Sequence, residues 1–242
     1  MSPFFGEFIG TTLLIIMGAG VVANVLLTHS KGNNSGWIVI TFGWAMAVFI
    51  GVFASTHFGG KGHLNPAVTI ALTLFGDFDS SLTGTYIAAQ FAGAVAGAII
   101  AWLAYKKHFD ATGDPALQLA VFCTAPAVRS PVFNLVTEII GTFVLMFGAL
   151  SMSKSAHSLG ALDALPVALL VLAIGLSLGG PTGYAINPAR DLGPRIAHSI
   201  LPIKGKGNSD WGYAWVPVMG PIIGAILGAL LYKSVGNLVL PN

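Results

Sequence analysis

Two short apolar segments constrain this chain more than any other feature. Each opens with Asn-Pro-Ala: Gly62-His63-Leu64-Asn65-Pro66-Ala67-Val68 in the first half and Tyr184-Ala185-Ile186-Asn187-Pro188-Ala189-Arg190 in the second. Asn is a favoured N-cap, and Pro is tolerated in the first helical turn because its missing N–H would be unpaired there. Each copy therefore predicts the start of a helix. Those helices, from Pro66 to about Leu74 and from Pro188 to about Ile200, fall short of the roughly 20 residues that cross a hydrocarbon core. The sequence around them says what they are embedded in.

Six longer apolar runs flank the pair: Phe4 to Leu27, Trp37 to Phe58, Thr83 to Tyr105, Val132 to Met152, Leu165 to Leu178 and Trp215 to Lys233. Only 8% of residues are charged and 55% are hydrophobic, whereas soluble domains carry about 25% charged residues. An all-α integral membrane protein follows, with six spans and two half-helices. Thirty-one glycines suit helices whose backbones approach closely in lipid. A β-barrel would need a series of alternating segments of about ten residues, and none is present. The net charge of +2 is too small to suggest nucleic-acid binding. Cys123 stands alone, which excludes an intramolecular disulfide and a cysteine-cluster metal site. The histidines do not cluster, so neither metal nor cofactor is expected. No basic stretch and cleavage site open the chain, so the first run reads as a retained span.

The half-helices follow helix-breaking stretches, Gly59-Gly60-Lys61-Gly62 and Gly179-Gly180-Pro181-Thr182-Gly183. The spans that open the two halves share a pattern, Gly6-Glu7-Phe8-Ile9-Gly10-Thr11 and Thr137-Glu138-Ile139-Ile140-Gly141-Thr142. The chain thus reads as one domain, 1–242, of two repeats, approximately 1–105 and 132–236, joined by a connector at 106–131. With three crossings each, the halves enter from opposite faces, and the broken helices of such inverted repeats meet near the midplane.

This arrangement predicts chemistry at its centre. The side-chain oxygens of Asn65 and Asn187, held as N-caps, leave each NH2 free to donate into a lumen. Each helix N-terminus adds roughly half a positive charge, which repels cations and hydronium. Arg190 at membrane depth should face water and bind backbone carbonyls. Glu7 and Glu138 are mid-span acids with two readings: a proton relay, or acceptors for backbone N–H groups of the loops. The inverted repeat favours the second. The carbonyls of Gly62, His63, Leu64, Gly183, Tyr184, Ala185 and Ile186 would then line the lumen. His63 reads as braced within its loop, and Lys61 as a solvated charge at the mouth. No nucleophile–base–acid set is visible, so no enzyme is expected.

Over essentially the whole chain the pattern resembles the aquaporin, or major intrinsic protein, family. Asn187-Pro188-Ala189-Arg190-Asp191, with Arg195 and Pro217, resembles its glycerol-facilitator branch, which carries Asp after the Arg. The resemblance implies a right-handed bundle whose half-helices meet end to end, assembled as a homotetramer in membrane lipid with one channel per protomer. It implies a selectivity constriction of Trp44, Gly175, Tyr184 and Arg190, and a neighbouring structural role for Asp191. Water-selective relatives have His where this chain has Gly175, and well-known glycerol channels have Phe where it has Tyr184. The implied function is passive diffusion of glycerol and other small neutral solutes, with water, excluding ions and protons. The competing readings are a water-selective channel and an ion-coupled secondary transporter. The family orientation places the termini in the cytoplasm beneath the plasma membrane. That leaves Lys31, Lys106, Lys107, Arg129, Lys204 and Lys206 outside and Lys61, Lys154 and Lys233 inside, against the usual positive-inside bias.

Overall fold

The computed structural model describes residues 2–152 and 157–239; Lys154, counted above, and part of the polar loop expected at 153–163 lie outside them. All the regular structure among the described residues is helical. In chain order the helices are α1 (Pro3–Leu26), α2 (Trp37–His57), α3 (Pro66–Phe75), α4 (Thr83–Ala104), α5 (Lys106–Ala111), α6 (Pro115–Phe122), α7 (Pro131–Ser151), α8 (Leu165–Leu178), α9 (Pro188–Ile200) and α10 (Val216–Val239). Short 3₁₀ turns, Ser80–Leu82 and Gly160–Ala164, lead into α4 and α8. Among the described residues six segments are long and apolar enough to cross a membrane: α1, α2 and α7, α4 and α8 with the 3₁₀ turns that lead into them, and Val216–Val235 of α10.

The connector, to which the sequence reading assigned no elements, holds two short helices, α5 and α6. The signal for the second was in the sequence: Asp114 caps α6 by accepting from Ala116 N–H at 2.8 Å, with Pro115 at the first helical position. This is the same cap-plus-Pro chemistry that marks α3 and α9, overlooked because the run after it is short.

Glycines let the spans touch backbone to backbone. A Cβ on Gly93 of α4 would lie 2.5 Å from the Phe8 carbonyl oxygen of α1, and one on Gly97 would lie 2.6 Å from that of Thr12. The second half repeats the contact. Gly224 and Gly228 of α10 approach the carbonyls of Ile139 and Phe143 on α7, at 2.3 and 2.8 Å by the same measure. Small residues four apart bring helices together this way in lipid, where apolar burial supplies no drive. Each half-helix packs on the last span of the other half, α3 on α10 and α9 on α4, while α2 and α8 close the remaining seam. Phe42, Phe53, Leu103, Phe133 and Leu176 point outward, as side chains facing hydrocarbon do.

Candidate functional site: a lumen between two half-helices

The centre of the bundle is built by two buried N-caps. Asn65 accepts from Ala67 N–H (2.9 Å), and Asn187 accepts from Ala189 and Arg190 N–H (3.0 and 3.2 Å). Neither amide group is wholly free for the lumen, as the sequence reading had both. Asn65 Nδ2 donates to the Ile186 carbonyl and Asn187 Nδ2 to the Leu64 carbonyl, each at 2.8 Å. Each half thus holds the loop of the other. An amide nitrogen has two hydrogens, so one N–H per Asn remains for the lumen. The Leu64 and Ile186 carbonyls, expected to line the lumen, each also accept one bond of this cross-link.

The loops leading to these caps are held in a costly backbone shape. Leu64 and Ile186, each just before its Asn, have φ of 51° and 44°, and Tyr184 has 39°. Left-handed backbone costs about 1–3 kcal/mol at a non-glycine residue and persists only where its surroundings impose it. Here two carboxylates do so. Glu138 accepts from Ala185 N–H (3.0 Å), Ile186 N–H (2.8 Å) and the Thr182 hydroxyl (2.7 Å). Glu7 accepts from His63 N–H (3.0 Å), Leu64 N–H (2.8 Å), the Ser55 hydroxyl (3.0 Å) and Gln90 Nε2 (2.8 Å). Glu7 is 0% and Glu138 1% exposed. His63 bonds Thr69 Oγ1 through Nδ1 (3.1 Å) and packs against Phe78 and Tyr86. The exposed Lys61 sits 5.6 Å above the Phe78 ring.

A cavity of about 870 Å³ runs through this centre, from Lys61 and Asp77 at one mouth, past Asn65 and Asn187, to Trp44, Tyr184 and Arg190. Three of the four constriction residues expected from the sequence therefore share its wall. Arg190 does not meet carbonyls as expected. Among the described residues its guanidinium finds the Trp44 ring instead, Cζ 3.9 Å from the ring centroid. Such a cation–π contact contributes roughly 2 kcal/mol when desolvated. Trp44 Nε1 and Tyr184 Oη are buried at the same end without a hydrogen-bond partner among the described residues.

Gly175 lies behind this wall. A Cβ there would sit 2.8 Å from Tyr184 Cζ and 3.0 Å from Thr41 Cγ2. The room that Gly175 leaves is filled by the Tyr184 ring and is not open width. Gly175→His is accordingly expected to drive that ring into the lumen, and overpacking of this kind costs about 1–3 kcal/mol. Glycerol permeability should fall on the order of tenfold more than water permeability. Equal losses of the two in vesicle flux measurements would remove Gly175 and Tyr184 from the constriction.

Asp191 faces away from the lumen. Its Oδ1 pairs with Arg195 Nε (3.0 Å) and Nη2 (2.9 Å), and its Oδ2 accepts from Thr124 N–H and hydroxyl, both at 2.7 Å. Arg195 also donates to the carbonyls of Thr124, Ser209 and Asp210. This network ties α9 to the connector and to the loop after it. Lys206 Nζ closes the other end of α9 by donating to the carbonyls of His198, Ser199 and Leu201.

Two opposed half-helices framing a polar-centred lumen inside six spans define a membrane channel. The chain matches the family described as major intrinsic protein over residues 1–232. It is 58% identical over 233 residues to the probable glycerol uptake facilitator protein of Thermotoga maritima, covering 96% of this chain and 99% of that one. It is 53% identical over 234 residues to the glycerol uptake facilitator protein of Bacillus subtilis, covering 97% and 85%. The X-ray structure of the aquaglyceroporin from Plasmodium falciparum matches with a TM-score of 0.85 at 30% identity, over 96% of this chain and 95% of that one. The chain belongs to the major intrinsic protein family and is a multi-pass membrane channel, not an enzyme.

Proposed function

We propose that the chain is a passive channel for glycerol and other small neutral solutes, with water as co-permeant. The observation that carries this reading is the reciprocal pair of bonds from Asn65 and Asn187 to the opposite loops, at 2.8 Å each. It supports two half-helix N-termini, roughly half a positive charge apiece, held face to face across the lumen. Each Asn keeps one N–H to bind a passing hydroxyl or water oxygen. A permeating water so held cannot relay a proton, and a cation meets repulsion. Arg190 binds hydroxyls at the constriction, while Trp44 and the Tyr184 ring receive the CH face of a polyol. Glu7 and Glu138 act as braces, and the free carbonyls of Gly62, His63, Gly183, Tyr184 and Ala185 line the path.

The paired contacts of α1 with α4 and of α7 with α10 support an inverted repeat of approximately 1–105 and 132–236. The protomer is one quarter of a homotetramer in the plasma membrane, with both termini cytoplasmic. On the outer face Lys106 pairs with Asp110 and Arg129 with Asp210, both at 2.5 Å. Lys106 holds the Asp110 carboxyl below its usual range through that bond. The relatives named for glycerol uptake span nearly the whole chain, which supports glycerol over water alone.

Purified protein in lipid vesicles, followed by stopped-flow light scattering, tests the proposal. Glycerol should equilibrate faster than in empty vesicles, without saturation and without response to a proton or sodium gradient. No gain over empty vesicles, or gradient-dependent flux, rules out the passive channel.

A further inference from the structure

The Tyr184 ring does not stand alone in the lumen wall. Gly175 and Gly179 lie one helical turn apart at the end of α8, and the ring covers both. A Cβ on Gly179 would lie 2.6 Å from Tyr184 Cδ1 and 2.8 Å from Trp37 Cζ2, and 2.6 Å from the Gly175 carbonyl oxygen. Gly179 has φ −77° and ψ −20°, which any residue adopts. Its glycine is thus demanded by contact and not by backbone shape. Over this notch sits Trp37, the first residue of α2. Its indole ring meets Tyr184 edge to face, centroids 5.8 Å apart. Its Nε1–H donates to the Gly175 carbonyl at 3.0 Å, across 138 positions of sequence. Edge-to-face pairs at this spacing are stabilising beyond their burial, and the hydrogen bond pins the indole to α8.

We propose that Gly179 and Trp37 are positioning residues for selectivity. Gly179 is the floor that lets the Tyr184 ring lie flush with the wall, and Trp37 is the prop that keeps it there. Together they set the width the constriction offers. The idea rests on the channel reading above, but it concerns how the ring is held and not which solute passes.

A double-mutant cycle separates this role from general stability. Gly179→Ala is made alone and in a Tyr184→Ala background, and the glycerol-to-water permeability ratio is read from stopped-flow light scattering. Gly179→Ala alone should lower the ratio on the order of tenfold, the effect of about 1.4 kcal/mol of overpacking. In the Tyr184→Ala background the same change should move it less than about twofold, since non-interacting sites add within about 0.5 kcal/mol. An unchanged ratio, or an equal drop in both backgrounds, overturns the proposal. Trp37→Ala and Trp37→Phe supply the second arm, with water permeability reporting a folded pore. Phe keeps a ring against Tyr184 and should restore most of the ratio lost with Ala; equal loss in the two overturns the propping role. The cycle is repeated with urea. A wild-type protein that passes urea but not glycerol sinks the glycerol reading while leaving this test intact.

Discussion

Glu138→Leu is expected to bring glycerol permeability down to that of empty vesicles. Among the described residues the carboxylate is the sole partner of two backbone N–H groups, those of Ala185 and Ile186, and it also takes the Thr182 hydroxyl. A buried donor left without a partner costs about 1–3 kcal/mol. The same segment carries two non-glycine residues in left-handed backbone, Tyr184 and Ile186, each costing about 1–3 kcal/mol. With the brace gone, the bond from Asn65 to the Ile186 carbonyl and the Trp37 contact with Tyr184 are left to oppose their relaxation. Moving Ile186 withdraws the carbonyl that receives Asn65, so the damage crosses to the other half. Glu138→Gln distinguishes a brace from a proton relay. Its one remaining acceptor oxygen should preserve part of the flux, with no change in the response to a proton gradient. A relay predicts the opposite: a Gln variant as inactive for solute as Leu, in a pore that still conducts water.

The two halves of that argument were unequally visible in the sequence. Glu7 and Glu138 stand in matched hexapeptides ahead of matched Asn-Pro-Ala copies, so acceptors facing loops could be read without coordinates. The half-helices were equally plain, because N-cap chemistry is local: Asn at the cap, then Pro in the first turn. Asp114-Pro115 obeyed the same rule and was passed over only because α6 is short. What could not be read is what depends on distant approach. The bonds from Asn65 to Ile186 and from Asn187 to Leu64 join the halves across the lumen. Left-handed backbone at Leu64 and Ile186 contradicts local preference, since bulky and β-branched residues avoid it. Only the carboxylates behind the loops impose it. Gly175 shows the same limit. The space its absent side chain leaves is filled by Tyr184, nine positions later in the chain. Gly179 was legible only as part of a helix break and Trp37 only as the start of a span; their shared contact with Tyr184 was not, because the notch exists only once α2 lies against α8.

Asp191, expected from the sequence to play a structural part beside Arg190, yields the second large effect. It follows Arg190 directly, yet it lies outside the lumen in a fully buried pair with Arg195, both side chains 0% exposed. Breaking a buried pair by removing one partner costs about 3–5 kcal/mol, because the remaining charge is stranded. In Asp191→Ala the stranded group is Arg195, which keeps only the carbonyls of Thr124, Ser209 and Asp210. The variant should therefore unfold at a clearly lower temperature in detergent. Replacing both partners by apolar residues is often neutral, or even stabilising, where the fit is kept. Asp191→Ala with Arg195→Met should then recover most of the lost unfolding temperature. Flux separates fastening from filtering. If the pair only anchors α9, the double variant should keep a near-normal glycerol-to-water ratio, since Arg190 is still set by the Asn187 cap and the Trp44 ring. A double variant that is stable but has lost that ratio would show that Asp191 tunes Arg190 directly, and would move it from the frame of the channel into its constriction.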